Sequence, residues 1–214
     1  MKILVTAGST KIPIDQVRVI SNIFKGRTGT GIADYFSIMG HEVTLVTSNQ
    51  DLLHSSSHVH FFDSYWELYY LMEKLIAENE YDVIIHSAAV SDYEVKEVCV
   101  KNDDEQLIPI DRSSKVSSSY PELYFRLTPT PKIIDQIRSP WGFTGKLVKF
   151  KLQVGISDKE LLEIAEKSRI HSGADIIVAN CLEWAHEKAY IVAGSNIVIT
   201  NREELPRNLG LFLY

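Results

Sequence analysis

The chain has 214 residues, 45% of them hydrophobic and 23% charged, with a formal net charge of −6. That length supports one sizeable core, and the negative charge argues against general affinity for nucleic acid or anionic membrane. Cys99 and Cys181 are too few and too far apart for a CxxC site or a disulfide scaffold, and no run approaches the roughly 20 apolar residues of a spanning helix, so a cytoplasmic protein is expected.

Taken in chain order, β-rich runs alternate with helical patterns. KILVTA (2–7) reads as a buried strand, because aliphatic and β-branched residues follow one another without interruption. TGIADYFSIM (30–39) has helical spacing, with Gly40 where a helix ends. EVTLVTS (42–48) and HVHFFD (58–63) are the next strands. The segment 65–80 is an amphipathic helix with Leu68, Leu71, Met72, Leu75 and Ile76 on one face. YDVIIHSAA (81–89) is a further strand. Residues 93–130 break the rhythm; they are polar and turn-rich, with strands expected at 106–110 and 122–128, and read as a mobile loop or an arm. The rhythm resumes with helix 131–139, strand 146–153, helix 158–173, strand 174–180, a hairpin turning at Gly194-Ser195, and a short closing helix. The pattern predicts one α/β domain over 1–214: a doubly wound, mostly parallel Rossmann-like sheet with helices on both faces and an extended arm or flap.

Familiar motifs fail on context. Gly29-Thr30-Gly31 is half of a dinucleotide fingerprint, but it lies some twenty residues beyond the first strand, and Asp34 stands at the third glycine position. Tyr70-x-x-x-Lys74 matches the pair of short-chain reductases, yet its helix pattern already explains Tyr70 as a packing or boundary residue. The seven histidines show no ligand spacing, so no protein-bound metal is expected.

More informative is the length of the connection after the first strand. Most such connections run about two to six residues. Here Pro13 is expected to open a helical turn, and Val17, Val19 and Ile20 to anchor the segment to the core. Arg18, Lys25 and Arg27 with Gly26 and Gly29 then point to an anion site at the carboxyl end of the sheet. A solvated basic loop is the plainer alternative.

Several segments in order resemble phosphopantothenoylcysteine synthetase, the phosphopantothenate–cysteine ligase of coenzyme A biosynthesis. They are ILVTAGST with PIDQVRVISN, then KGRTG, HSAAVSDY, SSKVSS, LTPTPKII, KFKLQV and GADIIVAN. The resemblance implies that Gly8, Ser9 and Thr10, with backbone donors near Gly26, Arg27 and Thr28, line the nucleotide phosphates. It implies that Asn22 holds the activated acyl group, that Arg18 positions it, and that Ala88 and Ala89 leave room for it. Asp92 would meet the ribose or base. Lys115, on a flap, would close over the phosphates; Thr130, Pro131, Lys132, Ile133 and Phe150 would frame the base. The implied reactants are 4′-phosphopantothenate, L-cysteine and CTP or ATP with Mg²⁺, CTP being favoured. The implied assembly is a homodimer of a stand-alone bacterial form, with the flavin-dependent decarboxylase on a separate chain.

The sequence departs from the family pattern in three places. Gln153-Val154 replaces Glu-Thr, Lys132 replaces an acidic residue, and two helix lysines of many bacterial members fall near Ser168 and Ser172. Two competing readings are an NAD(P)-dependent reductase or epimerase and a nucleotide-binding regulatory protein without chemistry.

Overall fold

The computed structural model describes residues 1–52, 54–56 and 58–214. The first half contains β1 (Lys2–Ala7), β2 (Lys11–Pro13), β3 (Val19–Ser21), α1 (Arg27–Ile38), β4 (Glu42–Thr47), β5 (His58–Phe61), α2 (Tyr65–Glu78) and β6 (Val83–His86). The arm follows with β7 (Tyr93–Lys101), β8 (Leu107–Pro109) and β9 (Tyr124–Pro129). The chain closes with α3 (Ile133–Arg138), β10 (Lys146–Gln153), α4 (Asp158–His171), β11 (Ile176–Cys181), β12 (Ala189–Ala193), β13 (Asn196–Thr200) and α5 (Leu205–Gly210).

The main sheet runs β13-β12-β11-β10-β6-β1-β4-β5. From β5 to β11 every pairing is parallel, and β12 and β13 add the antiparallel hairpin. Side chains alternate between faces, so each strand feeds two cores. Ile3, Val5 and Ala7 of β1 meet Ile32, Ala33 and Phe36 of α1 and the Leu205–Leu209 stripe of α5. Leu4, Ile84 and Leu147 face the other way, onto Leu68 and Met72 of α2 and Ile133 and Ile137 of α3. Leu161 and Ala165 of α4 cover Ile177 and Ala179 on that same side. This is the doubly wound architecture that the rhythm predicts. Cys99 and Cys181 are buried free thiols, and among the described residues no helix is long and apolar enough to cross a membrane.

Three local expectations are overturned. Pro13 does not open a helical turn; it ends β2, which pairs with β3 as a small antiparallel hairpin. Val17, Val19 and Ile20 do not anchor that hairpin to the core, being 65%, 47% and 38% exposed. The arm contains a third strand, the nine-residue β7, which lies between β8 and β9. Boundaries shift elsewhere: α1 begins three residues earlier than its apolar spacing implies, and β6 stops at His86, after which Ala89 alone makes an isolated parallel bridge to Ser9. Tyr70 is 59% exposed and stacks on Trp66.

Two contacts fix the carboxyl end of the sheet. Helix α1 lies so close to β1 that a Cβ on Gly29 would stand 2.3 Å from Ser87 Oγ, 2.8 Å from Ala7 Cβ and 2.9 Å from the Thr6 carbonyl oxygen. Next to it, His86 and Lys149 are paired in register on β6 and β10, and both are buried. Lys149 Nζ donates to the Ser168 carbonyl and to Ser172 Oγ, closing the negative end of α4. Burial lowers its pKa, which Asp135 opposes and Lys151 and Lys132 reinforce. His86 Nδ1 bonds Thr6 Oγ1 at 2.9 Å. Burial, and secondarily the Lys149 charge, hold its pKa at about 4.

Gly29→Val is expected to destabilise the fold by about 3 kcal/mol through overpacking. Gly31→Ala, whose Cβ meets nothing within 4 Å, is expected to stabilise it by about 1 kcal/mol. Urea unfolding of both variants checks the contrast, and equal effects would remove the close packing as the reason for Gly29. For His86 the folded pKa lies below the unfolded one, so the unfolded chain takes the proton first as pH falls. Stability is therefore lost from about pH 6.5 down to about pH 4, by about 3 kcal/mol in all. Urea titrations at pH 7.5 and 4.5 measure the slope. His86→Asn should flatten it; an unchanged slope would assign it to other groups.

Candidate functional site

β1 and β6 are neighbours in the sheet, and the helices that follow them, α1 and α3, cover opposite faces, which is where α/β sheets open a crevice. Gly8 follows β1 at φ 88° and Gly26 precedes α1 at φ 80°. A Cβ on Gly26 would lie 2.4 Å from the Gly8 nitrogen, so the two turns touch backbone to backbone. Gly26 offers no side chain to cap α1, leaving the first-turn N–H groups of Arg27, Thr28 and Gly29 without a side-chain acceptor. By contrast, Ser64 with Glu67 and Ser157 with Glu160 close α2 and α4 as capping boxes.

A groove of about 590 Å³ runs from this turn across the carboxyl ends of the strands. Of the implied site residues it takes in Gly8, Gly26, Arg27, Thr28, Ala88, Ala89 and Phe150. Its floor is apolar, with Phe150, Val178, Ala189 and Leu205, and its far wall carries Asn180, His186 and Arg202. None of these three is among the sequence-based candidate residues: Asn180 ends the GADIIVAN run on β11, His186 lies in the β11–β12 connection, and Arg202 lies between β13 and α5.

The remaining candidates are not among the residues that line the groove. Ser9 N donates to Ser48 Oγ at 2.9 Å, and Ser9 Oγ lies 3.1 Å from Ser21 Oγ. Asn22 Nδ2 donates to the Ala89 carbonyl at 3.2 Å, joining two implied acyl-site residues that lie 67 positions apart. Thr10 and Thr130 are buried and hold the 89–92 turn. Ser91 N donates to Thr10 Oγ1 at 2.8 Å, and Thr130 Oγ1 donates to the Ser91 carbonyl at 2.8 Å. Asp92 and Lys132 form an exposed ion pair, Pro131 accepts a bond from Tyr65 Oη through its carbonyl, and Ile133 is core. Lys115 is exposed.

Arg18 is tied to Asp15, a residue the sequence reading passed over. The Asp15 carboxylate accepts the Val17, Arg18 and Val116 N–H groups and both Nε and Nη2 of Arg18. Arg18 Nη2 also donates to the Val116 carbonyl at 2.6 Å. The Arg18 guanidinium, with those backbone donors, holds the Asp15 carboxyl well below the usual carboxylate range. One ion pair thus joins the β2–β3 hairpin to the flap residue that follows Lys115. Pro-Ile-Asp before a short hairpin is a turn signal, but the partner at Val116 is 101 positions away and leaves no local trace.

The third departure from the family pattern has a counterpart in space. Ser168 and Ser172 are the residues that Lys149 contacts, so an ammonium reaches the end of α4 from β10. Among the described residues there is no group of three or more His, Cys, Asp or Glu side chains suited to hold a metal ion.

The family model described as DNA/pantothenate metabolism flavoprotein C-terminal domain matches residues 1–209. The coenzyme A biosynthesis bifunctional protein CoaBC of Thermococcus kodakarensis is 34% identical over 211 residues, which cover 96% of this chain and 47% of that protein. The chain spans about half the length of the curated relatives it matches. A crystal structure of the DNA/pantothenate metabolism flavoprotein from Streptococcus pneumoniae is 32% identical at a TM-score of 0.86, covering 99% of this chain and 97% of that one. A Cab2 variant crystallised with phosphopantothenate-cysteine shares the fold at 15% identity and a TM-score of 0.73, covering 99% and 86% of the two chains. The chain belongs to the family of the DNA/pantothenate metabolism flavoprotein C-terminal domain.

Proposed function

We propose that this chain is a phosphopantothenate–cysteine ligase. It joins the carboxylate of 4′-phosphopantothenate to the α-phosphate of CTP, preferred over ATP, and releases pyrophosphate. It then passes the acyl group to the amine of L-cysteine, giving 4′-phospho-N-pantothenoylcysteine and the nucleoside monophosphate. The observation that carries this reading is the bond from Asn22 to the Ala89 carbonyl at the mouth of the groove. It gathers an amide donor, small side chains and the open N-terminus of α1 around one position.

On this reading the phosphates approach the N–H groups of Arg27 and Thr28 beside Gly8 and Gly26, where the helix dipole favours negative charge. Phe150 offers the base a flat apolar surface in the groove, and the family resemblance assigns Asp92, Lys132 and the 130–133 turn to base or ribose contacts. Ser9 and Thr10 keep the phosphate turn in shape through Ser48 and Ser91. Asn22 donates to the acyl oxygen without adding a charge. Arg18, immobilised by Asp15, orients the acyl group, and Lys115 brings an ammonium to the phosphates when the flap closes. Mg²⁺ would arrive with the nucleotide and offset phosphate charge. The exposed apolar side chains Leu107, Ile108, Phe125 and Leu127 of the arm support a homodimer, and the family relationship supports a cytoplasmic, single-domain ligase unit.

The deciding assay supplies 4′-phosphopantothenate, L-cysteine, Mg²⁺ and CTP or ATP, and follows pyrophosphate and cysteine-dependent product. Binding of NADPH with no pyrophosphate release would overturn the reading in favour of a reductase. Asn22→Asp should slow amide formation about a hundredfold while acyl-nucleotide still forms; equal loss in both half-reactions would remove its assigned role. Lys115→Gln should slow pyrophosphate release by about the same factor. Unchanged release in that variant would take Lys115 out of the mechanism.

A further inference from the structure

The groove stands apart from the charge of the molecule. The chain carries 28 acidic and 22 basic residues, yet among the described residues no Asp or Glu lines the groove, while Lys25, Arg27, Lys151, Lys188 and Arg202 all do. Lys188 is engaged elsewhere: its ammonium bonds Asp158 and lies over the Trp184 ring. Among the described residues, Lys25, Arg27, Lys151 and Arg202 have no carboxylate within ion-pair distance; Lys151 stands on β10, between the two rims. Lys25 and Arg27 stand at the α1 turn. Arg202 lies between β13 and α5, beside Leu205 on the opposite rim.

The two rims stand over different strands of the sheet. The groove crosses from β1 over β6, β10 and β11 to β12, four strand spacings or about 19 Å. Phe150, Val178 and Ala189 form an apolar floor between them. A ligand that satisfies both rims carries negative charge at separated positions, or two anionic ligands lie end to end. The proposed reaction brings together two phosphorylated molecules.

We propose that Arg202 is the cation of a second phosphate subsite at the far rim, separate from the glycine turn. It takes a phosphate of the reactants, either the terminal phosphates of the nucleotide or the phosphomonoester of the acid. The identity of these ligands rests on the ligase reading; the charge of the rim does not. A guanidinium suits the task because its fixed fork donates two parallel bonds to phosphate oxygens.

The test compares wild type, Arg202→Gln and Arg202→Lys. Calorimetric titration with inorganic pyrophosphate should show binding weakened about tenfold in Arg202→Gln and largely restored in Arg202→Lys. The thermal midpoint should stay unchanged, since Arg202 makes no hydrogen bond among the described residues. In steady state, a raised KM for the nucleotide alone assigns the subsite to nucleotide phosphates; a raised KM for phosphopantothenate alone assigns it to the acid. If pyrophosphate binding and both KM values match wild type in an active ligase, the subsite falls and the ligase reading stands. If wild type makes no ligase product but binds pyrophosphate in an Arg202-dependent way, the ligase reading falls and the subsite stands.

Discussion

Helix α1 meets the carboxyl ends of β1 and β6 at a distance that only glycine allows, and the geometry of the groove follows from that approach. Gly26 sets its turn against Gly8, and Gly29 sets the first helical turn against Ala7 and Ser87. Any Cβ at either position would push the helix off the sheet and carry its N–H groups away from the crevice. Because Gly26 has no side chain, the protein does not satisfy those donors in the way that Ser64 and Ser157 satisfy theirs. The same absence of a side chain that permits close packing also leaves the positive end of the helix open to an anion.

A second constraint controls what stands over that opening. The β2–β3 hairpin has little apolar anchorage, so its position depends on polar contacts: Asp15 with Arg18 and Val116, and Asn22 with Ala89. Asp15 lies out of solvent and receives every bond its two oxygens can well accommodate, which keeps it ionised and keeps Arg18 from swinging free. The hairpin and the flap are therefore one polar unit placed over the sheet rather than part of its core.

Much of the fold was legible because the parallel strands are buried on both sides and read as uninterrupted aliphatic runs. What was not legible has physical reasons at particular residues. Pro13 has a φ that suits both a first helical turn and an edge strand, and nothing nearby separates the two. Val17, Val19 and Ile20 are apolar, but apolar identity does not reveal whether a surface is covered. In β7 the register shifts between Val95 and Glu97. Val95, Val98 and Cys99 are buried out of strict alternation, so the period of two that marks a strand is broken. At the site, the glycine turn and the 88–92 turn were visible as local chemistry. Asp15 with Val116, His86 with Lys149 and the far rim with Arg202 were not, because each is made by residues distant in sequence. The Gly29-Thr30-Gly31 motif divides the same way: Gly29 is needed for packing, whereas Gly31 faces open space.

The placement of charge then separates two roles for cations along this edge. Lys149 is buried and spends its donors on the end of α4, while its neighbour His86 is kept neutral by its own burial and, secondarily, by the Lys149 charge. Arg27 and Arg202 are exposed, line the groove and, among the described residues, donate no side-chain hydrogen bond. A cation that closes a helix end stabilises the fold and is poorly available to a ligand. A cation left without a carboxylate, in a chain with an excess of carboxylates, stabilises nothing until an anion arrives. Keeping acidic side chains out of the groove maintains that difference, since one nearby carboxylate would satisfy Arg202 internally and weaken its hold on phosphate.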